Sequence, residues 1–347
     1  MPSAGETCIL INMRIRPFST TGIGSLPHLD PKEACKAALE SFDIPFWPQL
    51  PQASFREGMI AQFAEGLPGL RVDMERGSIW VEDDAEAVGK FYESCTGDAE
   101  IPISVEYASG LYAFLDEIKG RRFEQVKGHV TGPLTFSLSL KDKGGRPVYF
   151  NEELREICLM LLKAKTRWQV GALKPYAGGV IIFIDEPILS ALGSTTYISV
   201  ERQEALRLLS ELVETVKAAG ATPGVHCCGR AEWPLLIEAG VDILHFDAYE
   251  YGDTLGIYPD AIKGFMEAGG ILGWGIVPTT DAIGGETLQS LTRLFYERLD
   301  GLSGHIPKEL LLRNIILTPS CGTGSRSIGE AMKVFGLLGA LKKEVSK

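Results

Sequence analysis

Eight short apolar runs alternate with longer amphipathic stretches along this chain, and that alternation limits the fold more than any other feature. The runs are FSTTGIGS (18–25), FDIPFWP (42–48), FEQVKGHVTGP (123–133), GGVIIFIDEP (178–187), TPGVHCCG (222–229), VDILHFDAY (241–249), GGILGWGIVP (269–278) and RNIILTPSCG (313–322). Between most of them lie helix-like segments: Pro31–Phe42, Glu152–Lys174, Val200–Ala219 and Glu286–Leu302. In the third of these, Ala205, Leu206, Leu208, Leu209, Leu212 and Val213 recur at helical spacing on one face. Runs rich in Val and Ile that alternate with helices predict a parallel sheet buried on both faces. Eight is the number that closes a (β/α)8 TIM barrel, and 347 residues fall within the span of about 250 to over 400 that such barrels routinely cover. An open doubly wound sheet is the alternative, but no run is followed by a dinucleotide-type GxGxxG.

Residues 64–123 depart from the alternation: SIWVED and IPISVEY read as an extra hairpin or an insertion. With no repeat, low-complexity tract or long Pro/Gly linker, residues 1–347 are expected to form a single domain. Thirty-four basic against 45 acidic residues give a net charge of −11, a field that repels nucleic acid and anionic membrane surfaces. KGRR (119–122) and KDKGGR (141–146) read as solvated loop charge. No apolar run approaches the ~18 residues of a membrane span. CILIN (8–12) is too short for a secretory signal, so a cytoplasmic location is expected.

Seven cysteines, Cys8, Cys35, Cys95, Cys158, Cys227, Cys228 and Cys321, are an odd, scattered set that argues against a disulfide framework. Cys35 and Cys158 fall in helical patterns and are expected in the core.

In a barrel the active site lies at the C-terminal ends of the strands, and the polar residues collect there as IGS, TGP, DEP, HCCG, FDAYE and SCG. Side chains alternate faces along a strand, so His226 and Cys228 point one way and Cys227 the other, toward the helices. Cys321 ends the eighth run among glycines; Asp247 ends the sixth, with Glu250 three residues on. His226, Cys228, Cys321 and an acidic oxygen from Asp247 or Glu250 form an N/S/O set suited to Zn²⁺. Magnesium or calcium would call for an all-oxygen shell.

The chain resembles the C-terminal catalytic barrel of cobalamin-independent methionine synthase, within the uroporphyrinogen decarboxylase/methionine synthase-like superfamily. TTGIGSLP (20–27), KGHVTGPLT (127–135), IIFIDEP (181–187), HCC (226–228) and PSCG (319–322) carry the resemblance, in the family's order and over almost the whole length. The family's first, duplicated barrel has no counterpart in these residues, so the likeness is to a core, single-barrel methionine synthase. Thiol-methylating methylcobamide methyltransferases, with a similar H-x-C and late cysteine, are close kin. Uroporphyrinogen decarboxylase itself fits less well: its Arg-rich N-terminal signature is missing, and Arg14, Arg16 and Arg56 are too scattered to replace it.

The resemblance implies a zinc ion that activates a thiol substrate, with His226, Cys228 and Cys321 as ligands and Asp247 in place of the family's glutamate. It implies substrate binding by Ile23 and Ser25 of IGS and by Asp185 of DEP, which would hold the substrate ammonium. A free alkyl thiol, with a pKa of about 8.5, is mostly protonated at neutral pH, and coordination to zinc deprotonates it for attack on a methyl group. Two departures bear on substrate and donor. Ala61, beside Gln62, stands where the family has a second amino-binding glutamate, and Gly273–Asp281 contains no histidine to protonate a departing folate. A methylated corrinoid needs no such proton. The expected activity is therefore methyl transfer from a methylcorrinoid, protein-bound, to homocysteine. Another thiol acceptor such as coenzyme M, or a corrinoid- or metal-binding barrel without turnover, are the alternatives.

Overall fold

The computed structural model describes residues 15–192 and 197–347; Cys8, the CILIN segment and Arg14 lie outside them. The described part begins with an irregular extended segment that reaches Ser25 and a helix, Pro31–Ser41, capped by the Asp30 carboxylate. A second extended segment and a short helix, Met59–Ala64, follow. Then come β1 (Leu70–Asp73) and β2 (Ser78–Val81), an antiparallel hairpin. β3 (Phe123–Thr131), β4 (Lys141–Asp142), β5 (Ala177–Asp185), β6 (Thr222–Cys227), β7 (Ile243–Asp247), β8 (Ile271–Val277) and β9 (Ile315–Pro319) complete the strands among the described residues.

Six of them form one curled parallel sheet in the order β3-β5-β6-β7-β8-β9, a half-barrel of TIM-like character. They coincide with the last six apolar runs. Helices Glu152–Leu173, Arg202–Ala218, Leu288–Ser303 and Ile328–Val345 are among those that cover its outer face. The first two apolar runs do not enter the ladder as strands. They flank it through single parallel bridges, Thr20 to Leu317 on β9 and Phe46 to Lys127 on β3, and touch each other at Ser25 and Gln49. Gly22, Gly24, Pro45 and Pro48 interrupt these runs, and proline cannot donate to a ladder. Within 64–123, SIWV is one arm of the hairpin and pairs on its other side with β4; IPISVEY forms no strand.

Strand alternation splits the core in two. Ile182, Ile184, Val225, Cys227, Leu244, Phe246, Trp274 and Leu317 pack beneath the helices. Ile181, Phe183, Ile243, Ile271 and Ile316 form a separate cluster with Ile23 and Ile44 from the two extended segments, on the sheet's other face. Fully burying such side chains is worth about 1.5–3 kcal/mol each, so a one-residue slip of any strand would cost several kcal/mol. Above this layer the register is level: Thr131 stands beside Asp185, Asp185 beside His226, His226 beside His245, and Asp247 beside Gly275. The C-terminal ends of the central strands thus present their polar side chains at one height. No helix among the described residues is long and apolar enough to cross a membrane.

Candidate metal centre

His226 sits on β6, Cys228 directly after it, and Cys321 just beyond the end of β9. One ligand atom from each lies within 4.8 Å of the other two. His226 is buried, whereas both cysteines are partly open. The His226 Nε2 to Cys321 Sγ distance is 3.6 Å. Zn–S near 2.3 Å and Zn–N near 2.05 Å at a tetrahedral angle give an N···S edge of about 3.6 Å, so these donors stand where a zinc ion needs them. The two thiols share charge: the hydrogen bond from Cys321 holds the Cys228 thiol well below its ordinary value, reinforced by His226, and the same bond pushes Cys321 up.

Cys227 turns away. It is fully buried in the layer beneath the helices, and burial pushes its thiol up to about 12. Cys35, Cys95 and Cys158 are likewise buried and unpaired.

Asp247 and Glu250 are not part of the three-residue group. Asp247 is buried at the end of β7, where its Oδ1 accepts the Glu250 backbone N–H at 2.8 Å and so caps the short helix Ala248–Tyr251. Burial pushes its carboxyl up to about 6, and the Cys228 charge nearby adds to that.

Asp185 ends β5, buried, with an Oδ1 that has no hydrogen-bond partner among the described residues. Burial pushes its carboxyl up to about 6 against the pull of His226 and Lys127. A buried acceptor left unmatched is costly, by about 1–3 kcal/mol, unless a ligand donor completes it. The next residue, Glu186, points to the opposite side and has a structural task. Its carboxylate accepts the Leu134 and Thr135 backbone N–H groups at 2.8 Å each and the Thr135 hydroxyl at 2.6 Å, capping the helix Pro133–Ser139. The TGP and DEP stretches therefore lock together, and a Cβ on Gly132 would fall 2.2 Å from Glu186.

The segment that holds Ile23 and Ser25 is fixed from two sides. Ile23 joins the apolar layer, and its carbonyl accepts the Lys127 ammonium at 2.6 Å. Lys127 is fully buried, lies 4.6 Å from the Phe183 ring centroid, and is lowered to about 7 by burial. Ser25 docks on the loop that follows Cys321: its carbonyl accepts the Thr323 N–H at 2.9 Å, and its Oγ accepts the Gly324 N–H at 3.2 Å. A Cβ on Gly322 would lie 2.1 Å from that Oγ, so a side chain there would drive the hydroxyl off the Gly324 N–H. Ala61 is buried and offers no carboxylate. Gln62 is already engaged, accepting from Gln49 Nε2 at 2.9 Å and donating to the Tyr107 carbonyl at 2.7 Å.

The sequence reading passed over His245. It shares β7 with Asp247, two residues away and thus on the same face, and its ring meets both His226 and Thr318. Burial holds it neutral, well below the usual histidine range. The signal was present: HFD repeats on β7 the spacing of a histidine and, two residues on, a polar donor that HCC shows on β6.

No family model matches the chain, and no curated protein does. Among solved structures it is similar to a B12-independent methionine synthase from Shewanella sp. W3-18-1 in complex with selenomethionine, at 14% identity and a TM-score of 0.62, over 96% of this chain and 98% of that one. A putative fructose-1,6-bisphosphate aldolase from Coccidioides immitis (13% identity, TM-score 0.29, 75% of this chain and 92% of that one) and a Xaa-Pro dipeptidase with bound methionine (14%, 0.30, 70% and 68%) align too loosely to bear on the fold. The architecture is that of a methionine synthase-like α/β protein built on a curled parallel sheet.

Proposed function

We propose that the chain is a zinc-dependent methyltransferase that moves a methyl group from a methylcorrinoid, protein-bound, to the thiol of homocysteine. The observation that carries this reading is the His226–Cys228–Cys321 group, set at the C-terminal end of the sheet in the same layer as the unmatched Asp185 Oδ1. The methionine synthase-like architecture supports it. The fold is read as a single domain and a closed (β/α)8 barrel, in which the segments around Thr20 and Phe46 bridge β9 and β3.

Zinc, when bound, supplies a Lewis acid that lowers the pKa of a thiol. His226, Cys228 and Cys321 would hold it, with Asp247 as fourth donor after a turn away from its capping position, or Glu250 in its stead. Asp185 binds the substrate ammonium, and Ile23 and Ser25 shape the wall against which the amino acid lies. Gly273–Asp281 offers no histidine as acid, which favours a donor whose leaving group needs no proton. The buried Ala61, which contributes no second carboxylate, favours one other acceptor class, a thiol without an amino group such as coenzyme M.

The test is methionine formation from homocysteine by zinc-loaded protein, with methylcobalamin and methyltetrahydrofolate as parallel donors. Product from methylcobalamin alone supports the full reading. Product from coenzyme M in place of homocysteine overturns the acceptor, and zinc and corrinoid binding without product from any thiol overturns turnover.

A further inference from the structure

His245 is the one histidine at this level that the proposed chemistry leaves without a task. It lies beside His226 in register on the next strand, with no exposed surface, and the two rings meet edge to face, centroids 4.6 Å apart. Nδ1 faces Nδ1 at 2.7 Å. On its far side, His245 Nε2 lies 2.6 Å from the Thr318 hydroxyl on β9. On the far side of His226, Nε2 faces Cys321. Four side chains from three strands and the loop after β9 therefore form one continuous line, Thr318–His245–His226–Cys321.

The gap between the two Nδ1 atoms holds one proton, and its position decides what His226 can do. With that proton on His226, its Nε2 carries a lone pair aimed at the space beside Cys321. His245, bare at Nδ1, then keeps its own proton on Nε2 and donates it to Thr318. With the proton on His245 the order reverses: Thr318 donates to His245, and His226 Nε2–H points at the Cys321 sulfur, where no ligand bond can form. Both orders satisfy every ring nitrogen in the line. Space for the second ring is also provided: Gly273, the register partner of His245 on β8, would place a Cβ 2.9 Å from His245 Cδ2.

We propose that His245, oriented by Thr318, is a positioning residue for metal binding: it accepts the Nδ1–H of His226 and so holds that ring in the tautomer that presents Nε2 as a ligand. This rests on the proposed metal site. Partners of this kind behind a ligating histidine are worth about 10–100-fold in metal affinity.

The experiment is zinc competition against a chromophoric chelator, carried out on the wild type and on His245→Leu, His245→Asn, Thr318→Val and Cys228→Ala. His245→Leu is expected to bind zinc about 10–100-fold more weakly. His245→Asn, whose Oδ1 falls where Nδ1 stood, should recover most of that loss, which a merely structural role of the ring would not explain. Thr318→Val leaves both rings in place and should lose several-fold, a readout that survives even where His245→Leu does not fold. Wild-type affinity in both His245→Leu and Thr318→Val, with zinc lost from Cys228→Ala, overturns this inference alone. Zinc retained by Cys228→Ala at wild-type affinity, or never bound by the wild type, overturns the metal site and with it the inference.

Discussion

Asp185 and His226 occupy directly paired positions at the ends of the parallel strands β5 and β6, so the proposed ammonium site and the metal site are one residue-pair apart. The sheet's register, rather than a flexible loop, sets the distance between the two ends of an amino-acid thiol. Asp185→Asn keeps the shape and removes the charge. A charge-assisted hydrogen bond is worth about 1.5–3 kcal/mol, so the KM for homocysteine should rise about 10–100-fold. Zinc content, measured in parallel, should stay at the wild-type value. An unchanged KM would dismiss Asp185 as the amino-group partner.

The three neighbouring cysteines should separate by face. Cys228→Ala and Cys321→Ala are expected to lose zinc and methyl transfer together, with thermal stability near that of the metal-free protein. Cys227→Ala should keep zinc at full occupancy and lose about 1 kcal/mol, from the space its buried sulfur vacates. Metal analysis and thermal melts on the three variants check this.

Glu186 makes stability depend on pH in a direction opposite to that of a salt-bridged carboxylate. Burial pushes its folded value up to about 7 from an ordinary 4.5. The unfolded chain therefore releases this proton first as pH rises, and folding stability falls from about pH 4.5 until Glu186 ionises in the folded protein near 7. Glu186→Gln loses part of the helix cap at every pH but removes this slope. Urea midpoints between pH 5 and 7.5 should show the difference between wild type and Glu186→Gln shrink as pH rises.

Six of the eight apolar runs became ladder strands, and of these only VIIFI on β5 is an unbroken stretch of Val, Ile or Phe; β3, β6 and β8 carry polar residues or glycines within the ladder. Runs 18–25 and 42–48, interrupted by Gly22, Gly24, Pro45 and Pro48, meet the ladder only through single bridges. Period-two alternation along β6 also describes where His226, Cys228 and Cys227 lie. The cap that occupies Asp247 is a tertiary fact: an acid three residues before Glu250 reads equally well as a ligand and as an N-cap, and only coordinates tell which hydrogen bond is made. IPISVEY forms no strand although it is rich in β-formers, and β2 pairs with β4 rather than with it.

A side chain on the loop after Cys321 should displace the hydroxyl by which Ser25 docks there. In Gly322→Ala the new Cβ would stand 2.1 Å from Ser25 Oγ, so the hydroxyl must rotate away and give up the Gly324 N–H it accepts. Gly322→Ala is expected to weaken substrate and zinc binding together, because Cys321 moves with the loop. Gly329→Ala, on a helix where nothing lies within 4 Å, should be silent in the same titrations.

Asp247 is where capping and ligation compete for one carboxylate, and substitution can part them. Asparagine caps a helix as well as aspartate does, whereas alanine costs about 0.5–2 kcal/mol. Asp247→Asn should therefore melt with the wild-type metal-free protein, and Asp247→Ala a few degrees lower. If the carboxylate turns to the metal, both variants should bind zinc at least 10-fold more weakly, with the loss of charge and not of the cap as the cause. Glu250→Gln should leave affinity unchanged. Wild-type zinc affinity in Asp247→Asn, combined with a loss in Glu250→Gln, would move the fourth ligand to Glu250 and leave Asp247 as a helix cap alone.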